Sequence, residues 1–95
     1  MDPHLPIERV VNIGPGLGTV LHQLGIHTFG DLVAAGAVGT WRQMRTVRPR
    51  LATAATLLAL GASIEQVRPS MLSATERGAL GIIARVEGRD SGTAD

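Results

Sequence analysis

The chain has 95 residues, enough for one domain with a modest core, and 44% of them are apolar, which excludes a disordered composition. Its nine basic residues are all arginine and stand against eight acidic ones, so a net charge of +1 argues against a uniformly basic nucleic-acid binder. It has no cysteine, which excludes disulfides, thiolate metal sites and cysteine nucleophiles.

The opening "MDPHLPIERV" has neither a basic n-region nor an apolar h-region, so no signal peptide is expected. No apolar run reaches the roughly 18–20 residues of a membrane span. A cytoplasmic location is expected. No segment alternates with period two and β-branched residues do not cluster, so the expected fold is all-α, a compact bundle of five to six short helices. The first runs over about Ile7–Val11, with Pro6 suited to its first turn. The second runs over about Pro15–Leu24, with Leu17, Val20, Leu21 and Leu24 on one stripe and Gly25 as its stop.

Thr28 caps a third helix that ends near Ala35, with Asp31 completing a near capping box and Gly36 stopping it. A fourth covers about Val38–Thr46 before Pro49 interrupts the pattern. The fifth, about Arg50–Gln66, is the most apolar; Ala54, Leu57, Leu60 and Ile64 share a face, which makes it the central helix. Ser73 and Glu76 form a capping box for a last helix over Ala74–Glu87. "GRDSGTAD" is polar and glycine-rich and is expected to fray, so the domain should cover residues 1–87 and the tail residues 88–95. The expected core is Ile13, Leu17, Leu21, Leu24, Ile26, Leu32, Trp41, Leu57, Leu60, Leu72, Leu80 and Ile83.

The stretch "VVNIGPGLG" joins the first two helices. Asn12 tolerates the positive φ that ends a helix. Gly14 can take positive φ as well. Pro15 starts the second helix, and Gly18 lets the helices cross closely. The turn leaves N–H groups at Gly16, Leu17 and Gly18, an electropositive cup suited to a phosphate. The plain alternative is that the hairpin only turns a corner.

"NIGPGLGTVLHQLGIHTFGDL" resembles a helix-hairpin-helix unit with its third helix. In that family the hairpin amides bind a nucleic-acid phosphate without reading sequence. The resemblance implies phosphate contacts at Asn12, Gly14 and Gly16, with Leu17 behind them. The family often has lysine after the Gly-Pro pair; Gly16 stands there, and one hairpin is present rather than a pair. A closer resemblance covers almost the whole chain. Asn12 to Pro15, Gly25 to Thr28, Gly36 to Val38 with Trp41, Leu57 to Ala62, and Leu72 to Leu80 are similar, in order, to the C-terminal domain of the TfoX/Sxy family. That family is tied to regulation of natural competence in bacteria.

Arg42, Arg45, Arg48 and Arg50 lie within nine residues with no acid between them, a set that could meet phosphates or an acidic partner. Trp41 shares a helical face with Val38 and Met44 and is expected to pack rather than stack on a ligand. His4, His22 and His27 lack a metal spacing, so no metal is expected, and His27 should stabilise its loop. No P-loop, dinucleotide fingerprint, nucleophile elbow or framed carboxylate pair is present, so no cofactor and no enzymatic activity are expected. The sequence favours a regulatory module that meets a protein partner or a second copy. The alternative is a weak, sequence-independent nucleic-acid module using the hairpin amides and the arginines.

Overall fold

The structure is a computed structural model and describes residues 2–92, with the side chains of residues 2–88. Five α-helices follow one another among these residues: α1 (Pro15–Gln23), α2 (Phe29–Ala35), α3 (Ala37–Val47), α4 (Ala54–Glu65) and α5 (Ala74–Gly92). Short 3₁₀ turns at Ile7–Arg9, Pro49–Leu51 and Pro69–Met71 precede α1, α4 and α5. The all-α expectation holds: the described residues contain no strand, and β pairing is limited to an isolated bridge between Pro6 and Thr28.

Local chemistry sets the boundaries. Thr28 Oγ1 accepts from the Asp31 amide at 3.2 Å, and the Asp31 carboxylate accepts in return from the Thr28 amide at 3.1 Å. Thr53 and Ser73 hydroxyls likewise accept from the Thr56 and Glu76 amides. Left-handed residues close the turns at Asn12 (φ 73°), Gly25 (φ 82°), Gly36 (φ 77°) and Gln66 (φ 62°).

Several expected bounds differ. The first helix is only a 3₁₀ turn, because Val10 turns extended and the Ile7 amide is taken by the His27 carbonyl. Five residues are in any case too few to sustain an α-helix alone. The central helix starts at Ala54 rather than Arg50, since Pro49 opens a separate 3₁₀ turn and Thr53 supplies the cap. The last helix runs past Glu87 to Gly92, so the expected tail of residues 88–95 begins within it. Residues 93–95 of that tail lie outside the described residues. Gly14 does not take positive φ: it is extended (φ −89°, ψ 179°), the conformation favoured before Pro15.

α4 is central, packing against α2, α3, α5 and the turn at Pro69–Met71. Leu57 and Leu60 on it are fully buried, against Trp41 and Met44 of α3 and Leu21 and Leu32 of α1 and α2 in one cluster. Of the expected core, Leu17, Leu24, Leu80 and Ile83 are only half-buried, while Ile7, Val10, Val20 and Phe29 are buried beyond expectation. Ile7 and Val10 lie in a segment too short to show a period.

Candidate functional site

The hairpin is held in place by the far end of α4. Ser63, fully buried, donates its hydroxyl to the Val11 carbonyl at 2.7 Å. The Asn12 carboxamide donates to the Val67 carbonyl at 2.7 Å. Asn12 therefore has the left-handed backbone its sequence suggested, but its side chain is spent on the fold. Gly18 is buried, and a Cβ there would stand 3.4 Å from Glu8 Cγ. Gly14 and Gly16 are exposed, and a Cβ on either meets nothing. Leu17 is half-buried and packs on the core. Gly14 is the N-cap of α1, and no side chain among the described residues caps that helix. Of the candidate phosphate contacts, Gly14 and Gly16 are presented to solvent, whereas Asn12 and Leu17 are engaged inward.

The arginines divide. The guanidinium of Arg42 forks onto Glu87 of α5, with Nε 3.0 Å from Oε1 and Nη2 2.9 Å from Oε2. Arg45 reaches Oε1 of the same carboxylate at 3.3 Å and also donates to the Glu87 carbonyl. Its guanidinium lies 5.3 Å from the Trp41 ring. These bonds, Arg42 foremost, hold the Glu87 carboxyl below the ordinary carboxylate range. Arg48 and Arg50 are exposed, at the end of α3 and in the following 3₁₀ turn. The buried Trp41 indole anchors this connector by donating to the Thr53 carbonyl at 3.0 Å, so it packs as expected.

The structure does not bring the hairpin and the arginines together. The hairpin meets α4 at Ser63, while the connector bearing Arg48 and Arg50 enters it at Thr53. About 15 Å of helix axis separates the two. In the chain the basic residue nearest the hairpin is Arg9, in the Ile7–Arg9 turn; Arg68 follows Val67, whose carbonyl accepts from Asn12. Arg68 had no local signal: a contact between residues 55 apart brings it there.

A second polar cluster joins three segments. His22 Nε2 lies 2.9 Å from Glu8 Oε2, and its Nδ1 meets Nδ1 of His27. One ring must donate to the other. The His22 contact draws the Glu8 carboxyl below its ordinary value. His27 also braces its loop through its amide, which donates to Asp31 at 3.0 Å and lowers that carboxyl too. Glu8 and His27 sit on opposite sides of the His22 ring, so the three do not converge on a point, and no group among the described residues could hold a metal ion.

With this geometry in place, the comparison with known families is specific. The model of the TfoX C-terminal domain matches residues 5–82, from the segment before the first 3₁₀ turn into α5. The chain belongs to the TfoX C-terminal domain family. No curated protein and no solved structure matches it. The matched region takes in α1 to α4 and the first part of α5, and so includes the hairpin, Trp41, Arg42, Arg45, Arg48 and Arg50. No described helix is long and apolar enough to cross a membrane.

Proposed function

We propose that this domain is a non-enzymatic, cytoplasmic regulatory module that acts by binding a protein partner. The carrying observation is on α5. Ile82 and Val86, one turn apart, are 53% and 54% exposed, and the small, exposed residues Gly78 and Ala79 continue the same face one turn earlier. Val47 and Leu51, on the far side of Trp41 in the chain, are also large and exposed. Three of the five polar side chains that would favour nucleic acid are committed elsewhere, Asn12 to Val67 and Arg42 and Arg45 to Glu87.

The second reading is weak, sequence-independent nucleic-acid binding at the hairpin. It is supported by the exposed residues Gly14 and Gly16 at the start of α1, which no side chain among the described residues caps. Selection of a displayed random-peptide library on the immobilised domain separates the two. The interaction reading expects one convergent peptide family that moves amide signals of α5 or of the α3–α4 connector. Binding of short duplex DNA with a log–log salt slope of about −2 to −3, and no convergent peptide, would overturn it.

A further inference from the structure

The connector between α3 and α4 combines three properties in five residues. Val47 and Leu51 are each 43% exposed although both are large and aliphatic. Arg48 and Arg50 between them are exposed, and among the described residues neither has a carboxylate partner, in contrast to Arg42 and Arg45. The backbone that presents these side chains is fixed. The Leu51 amide donates to the Arg48 carbonyl at 3.0 Å, the Ala52 amide to the Pro49 carbonyl at 3.2 Å and the Thr53 amide to the Leu51 carbonyl at 2.9 Å. Pro49 restricts the turn further, and the buried Trp41 indole holds Thr53.

We infer that this knuckle docks an acidic peptide segment of a partner protein, one in which aliphatic residues stand beside aspartate or glutamate. The inference deepens the protein-interaction reading and rests on it. Charge decides the sign of the partner: two unmatched guanidinium groups favour carboxylates or phosphates and exclude a basic segment. The aliphatic pair decides between those two anions. A phosphate backbone gains nothing from Val47 and Leu51, whereas apolar side chains of a peptide can cover them. A fixed backbone loses little freedom on binding, so a short segment suffices.

Amide signals of the whole domain, followed by NMR, test this. The probes are a short peptide alternating aspartate and leucine, its lysine–leucine counterpart, and short duplex DNA. The proteins are the wild type, Val47→Ser/Leu51→Ser, Arg48→Gln/Arg50→Gln and Ile82→Ser/Val86→Ser, all altered only at exposed positions. The acidic peptide is expected to move the amides of Val47 to Ala52, other than that of Pro49. Either connector variant should weaken it roughly tenfold, and the α5 variant should leave it within about twofold. The lysine peptide should leave these signals in place. An acidic peptide that leaves the connector amides unmoved overturns the inference. If it moves α5 amides instead and is lost in Ile82→Ser/Val86→Ser, the interaction reading stands without it. DNA that moves the connector amides equally in the wild type and Val47→Ser/Leu51→Ser assigns the knuckle to phosphate. Salt-sensitive DNA binding with no peptide bound at either face overturns both readings.

Discussion

The Asn12 carboxamide donates to the Val67 carbonyl across 2.7 Å, joining the hairpin to the chain just beyond α4. The neighbouring Ser63 hydroxyl has its one proton to share between the Val11 carbonyl and the Ala59 carbonyl of its own helix, both at 2.7 Å. Two consecutive residues of the hairpin, Val11 and Asn12, are thus pinned by the end of the central helix. Tertiary packing holds the hairpin in its conformation.

Asn12 serves through both its backbone and its side chain. Asn12→Gly keeps the left-handed φ and removes one bond, so it should cost about 0.5–1.5 kcal/mol. Asn12→Ala removes the bond and adds the left-handed penalty of about 1–2 kcal/mol. Denaturant unfolding should rank Ala below Gly below the wild type. Equal losses for the two variants would mean that φ contributes nothing.

Thr40 carries a defect that can be repaired. It is fully buried in α3, and its hydroxyl has no hydrogen-bond partner among the described residues. An orphaned buried hydroxyl costs about 1–3 kcal/mol. Thr40→Val has nearly the same shape and should raise stability by about 1 kcal/mol in the same assay. A loss of stability would reveal a polar partner for Thr40.

Much of the fold was legible because its signals are local. The Thr28–Asp31 and Ser73–Glu76 boxes and the glycine stops at Gly25 and Gly36 act within a few residues, and the structure has them where the sequence put them. What the sequence could not show depends on distant contacts. Gly14 is the exception, a local signal overlooked: glycine permits a left-handed conformation, but Pro15 directly after it favours an extended one. The four arginines looked like one surface, yet Glu87, more than 40 residues away, takes Arg42 and Arg45. Ser63 stands in the most apolar helix, where a small polar residue among alanines gave no hint that it anchors the hairpin.

The Glu87 cluster predicts a pH dependence. Its carboxyl is held below the ordinary value, chiefly by the Arg42 bonds, so the ionised form is favoured by folding. That stabilisation is present above the unfolded carboxylate pKa of about 4.3 and disappears as pH falls through the lower folded value. Arg42→Gln should therefore lower Tm at neutral pH and leave it nearly equal to the wild type near pH 2. High salt should shrink the neutral-pH difference, because Arg42 is 58% exposed. A difference in Tm that persists unchanged at pH 2 would assign the effect to packing of the arginine stem.

Two glycine variants test the hairpin itself. Gly14 is extended and open to solvent, so alanine fits without strain. Alanine is a poorer N-cap but restricts the unfolded chain, and Gly14→Ala should change stability by less than about 0.5 kcal/mol. Gly16 lies in the first turn of α1 with open space around its Cα. In Gly16→Lys the gain in helix propensity, about 0.5–1 kcal/mol, offsets an unfavourable cation at a helix N-terminus of about 0.3–1 kcal/mol. The fold should hold, which leaves DNA affinity as the informative reading. The wild type has Glu87 on Arg42 and Arg45, and the hairpin and the connector meet opposite ends of α4. Its salt slope should then be no steeper than about −2. If the first-turn amides can meet a phosphate, the added lysine should steepen that slope by about 0.9. A wild-type slope steeper than about −2, or preference for one DNA sequence, would place nucleic acid ahead of the protein partner. An unchanged slope in Gly16→Lys would leave the hairpin as a corner between two helices.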